Sequence, residues 1–445
     1  MPKGKLFAFN DDLLFLLKVF GRILAALPEQ VVAGICRSFA FLLSISLPKR
    51  RRMALRAISH AFPEKSEAWR RSVFKKSSAR LFEMGLFRPA SAFFSKQRLY
   101  ACLTITSEAK ELMRIYEEGG EKHGRPVVIM LPHMTMAEAA TLLPARAKGI
   151  KPVHVIFRPL NQASISRWVT RERERFGARM ISRKSGHNEA MAALRRGEMV
   201  AVLFDQDASN KGSTITFMDR IVSATDLPAL MAHRFGADIF LMLLERQGFW
   251  KAKLTLECVP RGETPVEATI HAHDKLEAYL RRDQDTAADW LWLHDRWDHF
   301  YSSYKRFRFP EKRNAIPLSN KIHGYDKLPR KTRFWVRLPN WLGDVVMALP
   351  VLRAIRAARP DFEFTLIGKA GFEPLVERLE VADCFIPLPE KGKGYFRTFR
   401  RMRLQYPDTC LLLTNSIRGD LEAYLTSCEQ RLGMVRPGKH RPLLT

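Results

Sequence analysis

In VVIMLPHMTMAEAATLLP, residues 127 to 144, a histidine and a glutamate stand five residues apart as His133 and Glu138. An imidazole whose ring is oriented by a carboxylate can take a proton from a hydroxyl and make it a nucleophile. On one α-helix two such positions would point about 140° apart, so the side chains meet only if the histidine precedes the helix. The residues suit that arrangement. Pro132 follows an apolar run that reads as a strand, and Thr135 with Glu138 forms the S/T-x-x-E pattern that opens helices. His133 is then expected on the turn, with Glu138 in the first helical turn and reaching back to the ring. The same spacing also describes a capping glutamate beside an ordinary corner histidine, and spacing alone leaves both readings standing.

The elements that must hold this pair divide into three stretches. Residues 13 to 117 read as helical throughout, with apolar residues recurring near every 3.6 positions in runs such as EAWRRSVFKKSSARLFEMGLF. From Val127 the pattern becomes short apolar runs between helix-like segments: VVIML, PVHVIFR, GARMIS, MVAVLFD, DIFLMLLE and KAKLTLECV. That rhythm predicts an α/β sheet, closing in a helix-like stretch from HDKLEAYL through WLWLHDRW to about Phe307. A basic connector rich in turn formers follows, and FWVRLPNWLGDVVMALPVLRAIRAARPDFEFTLIGK then reads as strand, turn, long helix and strand. The predicted organisation is a helical region over 1–117, an α/β core over 118–312, a linker over 313–332 and a partial Rossmann-like unit over 333–445.

The chain has 74 Lys and Arg against 46 Asp and Glu, a formal charge of +28, which implies an anionic partner. The segment from Leu13 to Leu47 is strongly apolar but carries Lys18, Arg22, Glu29 and Arg37, so no uncharged run reaches the roughly 18 to 20 residues of a bilayer span. Lys49, Arg50, Arg51, Arg52 and Arg56 follow at once. An apolar segment beside a polybasic one suits an anionic membrane surface, each cation contributing about 1 kcal/mol; packed core helices are the competing reading. No cleavage-site pattern of signal-peptide type is present. The six cysteines include no C-x-x-C pair, which excludes an encoded disulfide framework or zinc site and suits a reducing, cytoplasm-facing compartment. The cluster HAHD, His271 to Asp274, lacks further ligands at usable spacing, so neither a metal nor a cofactor is expected. Nucleic acid is not expected either, because the cations adjoin apolar helix and no reading motif occurs.

Several blocks in order resemble the bacterial lipid A late acyltransferases, the lauroyl and myristoyl transferases of the glycerolipid acyltransferase superfamily. They are LPEQVVAGICRSFAFLL, RRRMALRAISHAFPEKSEAWRR, the H-x-x-x-x-E at His133 and Glu138, FRPLNQ, RERERFGARMISRKSG, RRGEMVAVLFDQD and WLWLHDRW, spread over residues 20 to 305. The resemblance implies a mixed sheet flanked by helices behind a membrane-associated helical region. It implies an O-acyltransferase that moves a fatty acyl chain from acyl carrier protein, or acyl-CoA, to a hydroxyl of a lipid A precursor at the cytoplasmic face of the inner membrane. Another phosphoglycolipid is the alternative acceptor. Within it His133 is the general base, Glu138 its orienting partner, and Arg171, with Arg158 second, the donor to the oxyanion. Arg158, Asn161, Asp205, Asp207, His294 and Arg296 are implied as substrate-binding residues, and Trp290, Trp292 and Trp297 as an interfacial or packing belt. In TFMDRI, Asp219 stands where the family has a glycine.

LPNWLGDVVMALPVLRAIRAARPD, with LLLTNSIRGD and RLGMVRPGKHRPLLT, is similar to the amino-terminal domain of lipopolysaccharide heptosyltransferases, which have the GT-B fold of glycosyltransferase family 9. That similarity maps a general base for a sugar acceptor onto Asp344, for which a helix N-cap is the plainer reading. It covers about 110 residues and brings no nucleotide-sugar domain, so the expectation is an incomplete glycosyltransferase-like unit or a fragment of a bifunctional acyl- and heptosyltransferase.

Overall fold

The computed structural model describes residues 3–117, 119–147, 150–183, 186–297, 307–309 and 312–445. They form two compact units: Met1–Ile58, Phe62–Ser213 and Ser223–Arg296 make the first, and Ser59–Ala61, Thr214–Val222 and Trp297–Thr445 the second.

The first unit begins with α1 (Lys3–Ala26), α2 (Glu29–Ser46), α3 (Pro48–Ala61) and α4 (Glu67–Ser91). Ser66 caps α4 by accepting from Trp69 N at 3.2 Å, and Pro48 starts α3 where a missing N–H costs nothing. α1 and α2 lie along α4. A Cβ on Gly21 would stand 2.3 Å from Pro89 O, so only a glycine lets α1 approach the end of α4 this closely. The outer faces of α1 and α2 leave Phe15, Leu16, Phe41, Leu42 and Ile45 exposed. α2 is long and apolar enough to cross a membrane, judged by length and composition alone.

After α5 (Lys96–Ala101) come β1 (Leu103–Ile105), α6 (Ser107–Arg114), β2 (Val127–Leu131), a 3-10 helix at Ala137–Leu142, α7 (Leu143–Arg146) and β3 (Val153–Phe157). The unit continues with α8 (Ala163–Glu174), β4 (Arg179–Ser182), α9 (His187–Arg195), β5 (Met199–Leu203) and α10 (Leu227–Phe235), while the hairpin strands β6 (Ser213–Phe217) and β7 (Arg220–Ala224), which precede α10 in the chain, fall mostly in the second unit. β8 (Asp238–Gly248), β9 (Lys251–Val259), α11 (Pro265–Leu280) and α12 (Gln284–Ala288) complete the first unit. Seven strands form one sheet in the order β1-β9-β8-β2-β5-β3-β4. Only the β8–β9 hairpin pairs antiparallel; the other neighbours are parallel. β2 is buried along its whole length, as a central parallel strand covered on both faces must be.

Three expectations change here. Residues 13 to 117 are not helical throughout, because Leu103–Ile105 pairs with β9 as an edge strand. The stretch from HDKLEAYL does not stay helical to Phe307: α12 ends at Ala288, and the backbone beyond is spent on other partners. Asp289 O accepts from Thr135 N, and Leu291 N donates to His133 O at 3.1 Å. Residues 298 to 306 of that stretch lie outside the described residues. The connector 313–332 is also more than a linker, since the last segment of the second unit runs from Trp297 and includes it. It contains α13 (Ile316–His323), with Pro317 in its first turn and Gly324 left-handed at its end, and it buries Ile316 and Ser319.

The second unit is a five-stranded parallel sheet in the order β12-β11-β10-β13-β14. Its elements are β10 (Thr332–Arg337), α14 (Leu342–Ala358), β11 (Phe362–Gly368), α15 (Glu373–Leu379), β12 (Cys384–Pro387), α16 (Tyr395–Met402), β13 (Thr409–Leu412), α17 (Ile417–Leu425) and β14 (Gln430–Gly433). Strand order steps outward from β10 in both directions, which is the doubly wound pattern. Phe334, Phe362 and Phe364 stack at its centre, with ring centroids 4.6 Å and 5.1 Å from Phe334. In the β6–β7 turn Met218 and Asp219 both take positive φ, 54° and 57°, where glycine is the undemanding residue. Asp219 Oδ1 accepts from the Tyr325 hydroxyl at 2.8 Å.

Phe334 is fully buried within that stack, and truncating it leaves a cavity. Phe334→Ala is expected to cost about 3–5 kcal/mol of stability, read from the urea midpoint of the transition that includes this unit.

Candidate functional site

β2 and β5 run parallel with Leu131 opposite Leu203, and Phe204 N donates to Leu131 O at 3.3 Å. Two residues further along each chain, at the carboxyl ends of the strands, stand His133 and Asp205. Sites in open parallel sheets collect at this edge. The Asp205 carboxylate accepts from His133 N at 3.0 Å on both oxygens, meets His133 Nδ1 at 2.6 Å, and accepts from Trp290 Nε1 at 2.5 Å. Burial alone would raise its pKa, but the His133 charge and these donors outweigh that and hold it down at about 2. An ionised carboxylate on Nδ1 places the ring proton there and leaves Nε2 as the acceptor. The His133 side chain keeps 20% of its surface exposed.

The ring's orienting partner is therefore Asp205, and the expectation that Glu138 reaches back to it is corrected. The capping box is not formed either. Met136 is the N-cap of the 3-10 helix with no side-chain cap, while Thr135 is buried and donates to Asp289 Oδ1 at 3.3 Å. Glu138 instead accepts from Arg88 Nε and Nη2 at 3.0 and 2.6 Å, and from Arg173 through Nε at 3.2 Å and through Nη2. Burial would lift its pKa, yet the two guanidiniums overcome this and hold it at about 2, against an ordinary 4.5. Arg88 Nη2 also donates to Thr141 Oγ1 at 2.7 Å.

Beside this carboxylate lies a cavity of about 260 Å3. Leu131 and Leu203, each two residues before a member of the His133–Asp205 pair, line it with Val155, Met180 and Met242, and Glu138, Arg158 and Arg173 supply its polar edge. Arg171 is not part of it. It lies about 200° round α8 from Arg173 and is exposed, so the structure does not bring Arg171, expected as the oxyanion donor, to this cavity. Trp168 and Val169 are the buried stripe of α8, and Arg173 continues it at i+4. That helical phase could have selected Arg173 from the sequence; Arg88, on a distant helix, carried no such signal.

The remaining expected residues scatter. Arg158 and Asn161 are exposed after β3, and only Arg158 lines the cavity. Asp207 Oδ2 accepts from Ser209 N and Oγ, which shapes the local turn. His294 is exposed, and its pKa is lowered by desolvation first and by the charge of neighbouring His133 second. Arg296 is not a substrate residue in this arrangement: it is fully buried, donates to Ser223 O at 2.9 Å, lies 3.3 Å from His273 Nε2, and is lowered by burial to about 10. Trp290, Trp292 and Trp297 are buried as well. In the second unit Asp344 is exposed in the first turn of α14, whose N-cap is Trp341, so Asp344 is not the cap. Among the described residues no group of His, Cys, Asp and Glu is arranged to hold a metal.

Residues 7–299 match the bacterial lipid A biosynthesis acyltransferase family over more than half of the chain. The chain belongs to that family. A lipid A biosynthesis acyltransferase of Haemophilus influenzae (strain ATCC 51907 / DSM 11121 / KW20 / Rd) is 24% identical over 237 residues, covering 52% of this chain and 71% of the relative. Both His133 and Asp205 fall within the matched family region. Among solved structures, the E. coli ADP-heptose lps heptosyltransferase II is 25% identical with a TM-score of 0.21, over 23% of this chain and 30% of that one. The overlap is too slight to bear on the second unit's function.

Glu138→Gln would leave two guanidiniums facing a neutral amide. The expected loss is about 3 kcal/mol near neutral pH, the low end for a broken buried pair because Glu138 and Arg173 keep 19% and 21% exposure. The folded pKa is depressed, so the carboxylate's contribution is complete above about 4.5 and is lost as pH falls through about 2. The stability gap between variant and wild type, measured by denaturation at a series of pH values, should narrow over that window.

Proposed function

We propose that this acyltransferase moves a fatty acyl group from the thioester of acyl carrier protein to a hydroxyl of a lipid A precursor, with His133 as the general base and Asp205 as its orienting carboxylate. The observation that carries this reading is the 2.6 Å contact of His133 Nδ1 with Asp205, which leaves Nε2 as the ring's acceptor two residues beyond Leu131 of the apolar cavity's wall. Nε2 takes the acceptor's proton as its oxygen attacks the thioester carbonyl. The tetrahedral intermediate then expels the thiolate, which leaves with the proton from the imidazolium, giving an ester and a free thiol. Asp205 stabilises the imidazolium between the two steps.

The acyl chain occupies the apolar cavity, and Arg158 at its edge is the cation we assign to the oxyanion or to a sugar phosphate. Glu138 acts through Arg173 and Arg88 by fixing the polar edge. Attachment at the inner membrane's cytoplasmic face is part of the proposal. The exposed apolar residues of α1 and α2, and the cations at 49–52 that follow them, support it.

In an assay of labelled acyl transfer from acyl carrier protein to a lipid A precursor, His133→Ala is expected to fall to background, and a variant with full activity would overturn the assignment. Asp205→Asn should retain the fold but lose about 10⁴-fold in kcat, since an amide favours the wrong ring tautomer. Mass analysis of the product identifies the acceptor: acylation of a different phosphoglycolipid, with none on the lipid A precursor, would reject the acceptor and keep the mechanism.

A further inference from the structure

A second and larger cavity, about 590 Å3, opens between α2 and α4 of the first unit, within the range of small-ligand sites. None of the residues lining it lines the cavity beside β2. Its walls are apolar at Ala33, Cys36, Ala40, Phe41 and Phe74. Phe41 is also 64% exposed, so the wall continues onto the outer apolar face of α2. Its rim is basic. Arg37, Lys75, Lys76, Arg80 and Arg246 line it against two carboxylates, Glu83 and Asp285.

The ion pairs within this rim are partitioned. Arg246 is held by Glu83 at 3.0 Å, Arg80 by Asp285 and Asp289 at 2.5 and 2.7 Å, and Lys76 by Asp285 at 3.1 Å. Arg37 and Lys75 are exposed and have no carboxylate partner among the described residues. Ser78 is 1% exposed, lines the same cavity, and its hydroxyl has no hydrogen-bond partner. A buried hydroxyl left unmade costs about 1–3 kcal/mol, which a ligand oxygen would recover. An apolar trough, two unpaired cations at its mouth and one buried donor match an acyl chain, a phosphate and an ester oxygen in turn.

We infer that this cavity binds one membrane glycerophospholipid, with an acyl chain between α2 and α4, the phosphate on Arg37 and Lys75, and Ser78 donating to an ester oxygen. No bond is made or broken there. The site is separate from the acyl-transfer site, and its occupancy does not depend on the acyl-transfer reading.

The test is calorimetric titration of the full chain with dihexanoyl phosphatidylglycerol, dihexanoyl phosphatidylcholine and inorganic phosphate. Saturable binding of one phosphatidylglycerol is expected, at least ten-fold tighter than either of the others. The double variant R37Q/K75Q, altered only at exposed positions, should bind it at least ten-fold more weakly, and Ala33→Trp, which fills the trough, should abolish binding. His133→Ala should bind as the wild type does, which keeps a failure of this inference distinct from a failure of the catalytic one. Equal binding of phosphatidylcholine or of inorganic phosphate would overturn the inference. So would wild-type affinity in R37Q/K75Q, or stoichiometric displacement by the lipid A precursor.

Discussion

A buried carboxylate on a parallel-strand register organises the first unit. Asp205 is taken almost wholly out of water, which is tolerable only because a backbone N–H, an imidazole and an indole all donate to it. The three donors bring together two parts of the chain. The first two come from the turn after β2, and the indole comes from the non-helical loop after α12. That loop is fixed in its turn by α4, where Ser77 Oγ donates to Trp290 O at 2.7 Å and Arg80 pairs with Asp289. The helical region therefore has a part in holding Asp205 and His133.

Glu138 shows the same economy at the edge of the apolar cavity. Its carboxylate is shared by Arg88 from α4 and Arg173 from α8, so two helices and the 3-10 turn meet on one charge. Such an ion-paired cluster is weak evidence for net stability, because desolvating three charges offsets much of their attraction. Its effect is on placement: Arg173 is held against the cavity wall, where Arg158 also stands with no carboxylate partner among the described residues.

The fold was legible to different degrees for identifiable reasons. The central strands read well because VVIML and MVAVL are buried on both faces, and continuous apolar runs between helical segments have few other solutions. Leu103–Ile105 did not, because three residues are too few to show a period and its strand character comes from β9. α13 had a proline in its first turn and a glycine at its end, but its basic, polar surroundings read as a connector. The tryptophan loop looked helical from composition, and its backbone is straightened by bonds to the histidine turn and to α4.

The site divides along the same line. Residue types and order by themselves determined the family, the α/β architecture, and a histidine placed on a turn after a buried strand. Local spacing then favoured Glu138 as its carboxylate, five residues away, whereas the carboxylate that meets the ring is 72 residues away. Only the tertiary structure decided this, because neighbouring parallel strands bring side chains into contact by register and not by separation in the chain. Helical phase decided in the same way between Arg171 and Arg173: two residues along a helix exchange a place at the cavity wall for one in solvent.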